Sequence, residues 1–288
     1  MNSPIATHAN TKEILISNDL WARKELGQNF LVDGFVADKI VRAAEIEEGD
    51  LVIEIGPGIG GLTQVLVAKA GEVVAVEIDG ALADVLRAKL PNVRVINKDA
   101  QRVDLPKIAE EMGFRSFKVV ANLPYYITTP LLMGLLEYPY GEGAPRMISA
   151  TLMMQKEVAN RVTAVPGSKD YGALSLGVCY RASAELVANV PRNCFLPRPS
   201  VDSAVVHLRT YDTPPAEVLD EQLLFETIRT AFSTRRKTLL NCLANAYPEE
   251  QKSRMAQVIA QAGISPDVRA ENLALVQFAD LSNALAKL

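Results

Sequence analysis

From residue 51 onward, short apolar runs alternate with stretches of helical spacing, and this alternation restricts the fold more than any other feature of the chain. Residues 51–55, 73–78, 93–97, 117–121 and 147–154 are rich in Val, Ile, Leu and Met and have the length of strands. Between them, 61–70, 81–90 and 129–138 carry helix-forming sequence, the second stopped by Pro91. Such repetition predicts an α/β, mostly parallel, doubly wound sheet, because parallel neighbours need a crossover to join them. Apolar runs at 174–180, 184–190 and 203–208 are expected to add antiparallel strands at one edge.

Tyr211-Asp212-Thr213-Pro214-Pro215 reads as a linker, since paired prolines stop regular structure. Beyond it Leu223, Leu224, Ile228 and Phe232 share one helical spacing, and Leu239, Leu240 and Leu243 another. The expected organisation is a flexible segment at 1–20, an α/β domain at 21–211 and a small helical domain at 212–288.

Composition removes several classes. Hydrophobic residues make up 49% and charged ones 22%, as in soluble globular proteins, and no apolar stretch approaches a membrane span. The polar and acidic first twenty residues do not read as a secretory leader, so the cytoplasm is the expected location. Cys179, Cys194 and Cys242 are odd in number and widely spaced, which supports neither a disulfide framework nor a metal cluster; they read as buried structural thiols. His8 sits in a polar tail and His207 in a strand-like run, so no metal is expected. The net charge of −4 argues mildly against nonspecific nucleic-acid binding. Residues 229–237, however, hold four basic groups and no acid. Arg235, Arg236 and Lys237 therefore read either as a solvated helix face or as phosphate contacts.

Glu54-Ile55-Gly56-Pro57-Gly58-Ile59-Gly60-Gly61-Leu62-Thr63 joins the first strand to its helix. Glycines there allow a tight turn and close approach of a ligand, but alone they fit a plain strand–helix turn or a dinucleotide site equally. Glu77 ends the second strand, where a carboxylate can bind both ribose hydroxyls, and Asp99 follows the third, where it could accept from an adenine amino group. No phosphate-binding loop lysine is present, so a nucleoside without phosphate, such as S-adenosyl-L-methionine, fits better than a dinucleotide.

After the run 117–121 comes Asn122-Leu123-Pro124-Tyr125. An amide carbonyl can accept from an amino group, a proline stiffens the turn, and an aromatic ring can stack on a flat heterocycle. At the end of a strand, where open α/β sheets place ligands, that set suits chemistry on the exocyclic nitrogen of a base. The turn and the scarcity of histidine disfavour a nicotinamide oxidoreductase; a noncatalytic RNA-binding factor on the same fold is the other alternative.

These segments continue into a longer pattern. Lys24-Glu25-Leu26-Gly27-Gln28-Asn29-Phe30-Leu31, the glycine loop, Glu77, Lys98-Asp99-Ala100, Asn122-Leu123-Pro124-Tyr125-Tyr126, the run from Phe195 to Ser203, and Phe232-Ser233-Thr234-Arg235-Arg236-Lys237 follow in order. Over about residues 21–288 the chain resembles the ribosomal RNA adenine N6-dimethyltransferases, most closely the KsgA/RsmA branch acting on small-subunit rRNA. A related branch that modifies large-subunit rRNA typically has serine at the place of Gly27 and isoleucine at that of Leu123. N6-adenine DNA methyltransferases usually have aspartate at that of Asn122.

The resemblance implies a Rossmann-like class I methyltransferase domain with a C-terminal helical RNA-binding domain. It implies transfer of methyl groups from S-adenosylmethionine to N6 of two adjacent adenosines near the 3′ end of 16S rRNA, in the small subunit or its precursor. It also implies a role in ribosome biogenesis. Asn29 and Leu31 would border the methionine end of the cofactor, with Gly56, Glu77, Asp99 and Asn122 completing its site. Asn122, Leu123 and Tyr125 would hold the target base, and Phe195 would stack on its other face. Arg198, Arg235, Arg236 and Lys237 would contact RNA. A monomer is the expected state.

Overall fold

The computed structural model describes residues 4–137, 143–247 and 251–288. The chain folds as two compact units, Met1–Ala159 with Ala184–Thr210, and Asn160–Ser183 with Tyr211–Leu288. The strands are β1 (Phe30–Leu31), β2 (Leu51–Ile55), β3 (Glu72–Glu77), β4 (Arg94–Asn97), β5 (Ser116–Asn122), β6 (Arg146–Gln155), β7 (Ala182–Val190), β8 (Phe195–Leu196) and β9 (Ser203–Thr210). The α-helices of the first unit are α1 (His8–Ser17), α2 (Gly34–Ala43), α3 (Thr63–Val67), α4 (Gly80–Lys89), α5 (Leu105–Glu111) and α6 (Thr128–Leu136). α7 (Lys156–Val162) runs across the boundary between the units, and α8 (Ala173–Cys179), α9 (Glu221–Ala231), α10 (Leu239–Ala246), α11 (Lys252–Gln261) and α12 (Leu275–Leu285) belong to the second.

Seven strands form one sheet in the order β4-β3-β2-β5-β6-β9-β7. The first five are parallel, and β9 runs antiparallel to β6. Every residue of β2 is buried, as befits the middle of a sheet covered on both faces. From β2 the chain winds outward through β3 and β4, then returns to the other side of β2 with β5. The reversal opens a crevice at the carboxyl ends of β2 and β5, the place where such sheets bind ligands. The glycine loop leaves β2 there, and Asn122 closes β5. Lys118 sits inside this sheet because Asp50 neutralises it at 2.8 Å and the Glu45 carbonyl accepts from it. His207 is also buried, bonded through Nδ1 to the Thr151 hydroxyl at 2.9 Å.

Four expectations are corrected. Residues 4–20 are not a loose tail: Thr7 caps α1, and Ile14 and Leu15 bury against Ile5, Phe30, Ile59, Leu82 and Val85. The run 174–180 forms the helix α8 rather than an edge strand, and segment 160–183 belongs to the second unit rather than to the α/β domain. Cys179 is exposed, whereas Cys194 and Cys242 are buried. The end of the expected helix 129–138 lies outside the described residues; the observed helix stops at Leu136. In the second unit Leu224, Ile228, Leu239, Leu243, Met255 and Phe278 are core residues of one apolar cluster.

Candidate active site

Three backbone segments form much of the cleft at the switch point, and the residues that follow β3 and β4 complete it. The first is the loop after β2, whose turn is fixed by Gly60 N–H donating to the Pro57 carbonyl at 3.0 Å. Gly60 has φ +93°, and a Cβ there would lie 2.8 Å from Leu86 Cδ1, so a side chain would be strained in conformation and would force the Leu86 methyl to move. Gly58 N–H turns to the opposite wall and donates to Glu77 Oε2 at 3.0 Å, while Asp79 N–H donates to Oε1 at 2.9 Å. The Glu77 carboxylate is thereby oriented at the end of β3. Burial pushes its pKa upward, opposed by these backbone amides.

The loop's own carboxyl, Glu54, is 1% exposed, and its Oε2 has no hydrogen-bond partner among the described residues. Burial pushes Glu54 up to about 8; the Thr63 hydroxyl opposes the rise and the Glu77 charge adds to it. Asp99 caps the short turn after β4, accepting from Gln101 N–H at 3.0 Å, and lines the same cleft. Sequence reasoning passed over Glu54 as a member of the site; the signal was a lone carboxylate inside an otherwise apolar strand.

The second segment is 23–31. Gln28 bridges by accepting from Arg23 N–H at 2.8 Å and donating to Asp79 at 3.1 Å, which ties the segment to the end of β3. Asn29 spends its side-chain amide on the Gly27 carbonyl at 2.9 Å and lends its own carbonyl to Asn122. The third segment is the turn after β5. Leu123 N–H donates to the Met153 carbonyl at 2.9 Å, and Thr128 donates to the Pro124 carbonyl at 3.0 Å, so the turn is held at both ends.

Asn122 Nδ2 donates to the Asn29 carbonyl at 3.0 Å. That bond fixes which way the amide faces and leaves Oδ1 as the acceptor presented to the cleft. The Tyr125 hydroxyl bonds the buried Ser203 Oγ at 2.8 Å, which fixes the ring plane. The structure thus brings Asn29, Leu31, Gly56, Glu77, Asp99, Asn122, Leu123 and Tyr125 to one cleft. Gln28, Glu54, Ile78 and Tyr126 join them there.

Phe195 is placed apart from these residues. It is 3% exposed, is absent from the cleft walls, and packs with Val190, Cys194 and Val205. The cause is the two-stranded ladder of β1 and β8, in which Leu31 pairs with Phe195 and Phe30 with Leu196. Alternation sends the first pair into one core and the second into another, so Phe195 is a core anchor. Arg198 is exposed and does not line the cleft. Arg235, Arg236 and Lys237 lie in the turn between α9 and α10 rather than on a helix face. Arg235 donates there to the carbonyls of Lys169 and Tyr171 at 2.7 and 3.1 Å.

The topology is that of a Rossmann-like class I methyltransferase, and the acidic cleft at its switch point suits a cationic nucleoside. Glu77 and Asp99 line it beside Lys98, and the glycine loop has no phosphate-binding lysine, which fits a sulfonium- and ammonium-bearing nucleoside better than a dinucleotide. The chain belongs to the family described as "Ribosomal RNA adenine dimethylase", whose family profile matches residues 20–287. A Lachnoclostridium phytofermentans protein called "Ribosomal RNA small subunit methyltransferase A" is 48% identical over 282 residues, covering 96% of this chain and 95% of that protein. Its namesake from Alkaliphilus oremlandii is 45% identical over 98% of both chains. Among solved structures, the 23S rRNA methyltransferase ErmE superposes with TM-score 0.68 at 30% identity, covering 90% of this chain and all of that one. A dimethyladenosine transferase from Plasmodium falciparum does so with TM-score 0.72 at 29% identity, over 86% and 94%. The protein is an S-adenosylmethionine-dependent rRNA adenine dimethyltransferase.

Proposed function

We propose that the protein dimethylates N6 of two adjacent adenosines near the 3′ end of 16S rRNA, acting as a cytoplasmic monomer on the small ribosomal subunit or its precursor. The observation that carries this reading is the orientation of Asn122, whose anchored Nδ2 leaves an acceptor oxygen at the end of β5. The full-length relatives named for the small subunit favour that RNA over the large-subunit one, despite the fold shared with ErmE. Among the described residues no helix is long and apolar enough to cross a membrane.

S-adenosylmethionine, when bound, supplies an electrophilic methyl group. Glu77 would hold its ribose, Asp99 its adenine, and Asn29, Leu31 and the Gly56 backbone would border the methionine end. The adenine N6 lone pair is delocalised into the ring, so the amino group is a poor nucleophile. Hydrogen bonds from that group to Asn122 Oδ1 and the Leu123 carbonyl draw it toward a tetrahedral arrangement and release the pair. Tyr125, its plane set by Ser203, stacks on the extruded base and offsets part of the cost of unstacking it. Catalysis is then mainly positioning. The proton on nitrogen becomes acidic only after alkylation and passes to solvent, so no histidine base is required.

The test incubates the protein with labelled S-adenosylmethionine and unmethylated small subunits, digests the RNA and seeks N6,N6-dimethyladenosine. Large subunits treated in parallel provide the alternative. Label confined to the large subunit would overturn the small-subunit reading.

A further inference from the structure

Besides Tyr125 and the buried Phe30, the cleft is lined by Tyr126, which the chemistry above does not use. Tyr125 and Tyr126 are consecutive, yet their settings differ. Tyr125 is partly buried and bonded to Ser203, whereas Tyr126 lines the cleft while remaining 55% exposed. Its ring is seated on Gly27. That residue has φ +60°, and a Cβ built on it would stand 3.2 Å from Tyr126 Cδ1, 3.4 Å from Cε1 and 3.5 Å from Pro124 Cβ. The ring thus rests directly on backbone, and no side chain lies between the two wall segments at this point. The ring is anchored on one side, and the residue as a whole is exposed.

We propose that Tyr126 is the stacking platform for the nucleotide next to the one held by Asn122, and that Gly27 sets the height of that platform. The inference rests on the reading that two adjacent adenosines are modified. While one base occupies the pocket, its neighbour must lie just outside, and it must exchange places with the first between rounds. Tyr126 follows Tyr125 directly in the chain and lines the same cleft, which sets an exposed aromatic face beside the one assigned to the first base. A seated aromatic face is sequence-tolerant and holds a base without reading its edge. It therefore suits a residue that must accept either adenosine, before or after methylation.

The experiment compares the parent protein with Tyr126→Leu, which keeps an apolar cover over Gly27, and Tyr126→Trp, which keeps a stacking face. Three quantities are read: calorimetric affinity for S-adenosylmethionine, KM and kcat on unmethylated small subunits, and methylation at each adenosine by mass spectrometry of digested RNA. Tyr126→Leu should lower kcat/KM roughly 10-fold, mostly through KM, and should make methylation of the two positions unequal. Its cofactor affinity should match the parent's, and Tyr126→Trp should behave like the parent. Parental kcat/KM in Tyr126→Leu, or an equal loss in Tyr126→Trp, would overturn the proposal. So would a loss traced to weaker cofactor binding. A parent protein that dimethylates no adjacent pair would instead remove the functional reading on which the inference stands.

Discussion

Asn122 donates through Nδ2 and accepts through Oδ1, and both halves of its amide have work to do. A carboxylate in its place could not donate to the Asn29 carbonyl, and its oxygens would face that carbonyl unfavourably. Asn122→Asp should therefore cost roughly 100-fold or more in kcat, and Asn122→Ala should be at least as damaging. In both, calorimetric S-adenosylmethionine binding should survive, since Glu77 and Asp99 are untouched; near-parental turnover would refute the role. Glu54 makes a different prediction. Its folded pKa of about 8 stands above the ordinary 4.5, so between those values the folded cofactor-free protein holds a proton that the unfolded chain has lost. Stability attributable to this group therefore falls as pH rises from about 4.5 to about 8 and is level above. Glu54→Gln cannot lose a proton, so it should be little changed near pH 5 and more stable than the parent near pH 8, by a few kcal/mol at most on the order of the shift. Urea titrations at the two pH values check this, and identical pH slopes would sink it. The placement of Glu77, Asp99 and Asn122 at strand ends around one cleft was legible in the sequence. Phe195 was not, because its direction is set by pairing with Leu31, more than 160 positions away in the chain.

At the scale of elements, the glycine loop shows how tightly backbone and core are joined. Gly60 combines a positive φ with a Cβ direction aimed at the end of Leu86, a side chain with no exposure. Gly60→Ala should destabilise the fold by roughly 1–3 kcal/mol, from strain and overpacking together. Chemical denaturation with the parent's m-value but a lower midpoint would agree, and an unmoved midpoint would not. The central parallel strands could be located from sequence since long apolar runs between helical stretches have few alternatives. Short apolar runs lack that protection: 174–180 has the length of either a strand or a buried helix, and it is the helix α8. The N-terminal helix was missed for a related reason. Its apolar content is low, and only its seat on Ile59, Leu82 and Val85 makes the helix worth forming.

Over the whole molecule, an acidic chain must still hold a polyanion. The formal charge is −4, and the acidic side chains of the cleft favour the cofactor while repelling phosphate. RNA affinity must then come from basic residues placed elsewhere, and the turn between α9 and α10 concentrates three of them. They are not equivalent. All three are exposed, but Arg235 is engaged with the Lys169 and Tyr171 carbonyls, a clip inside the second unit. Removing Arg235 would therefore mix loss of charge with loosening of the turn. The cleaner variant is Arg236→Ala with Lys237→Ala. If both side chains contact phosphate, the slope of log affinity for small subunits against log salt should become shallower by roughly 1 to 2. Affinity should fall most at low salt, where released counterions contribute most, and calorimetric S-adenosylmethionine binding should stay at the parental value. An unchanged slope with weakened binding would point instead to a shape contact. An unchanged affinity would move the RNA-binding role away from this turn, leaving Arg198 of the first unit as the next basic group to test.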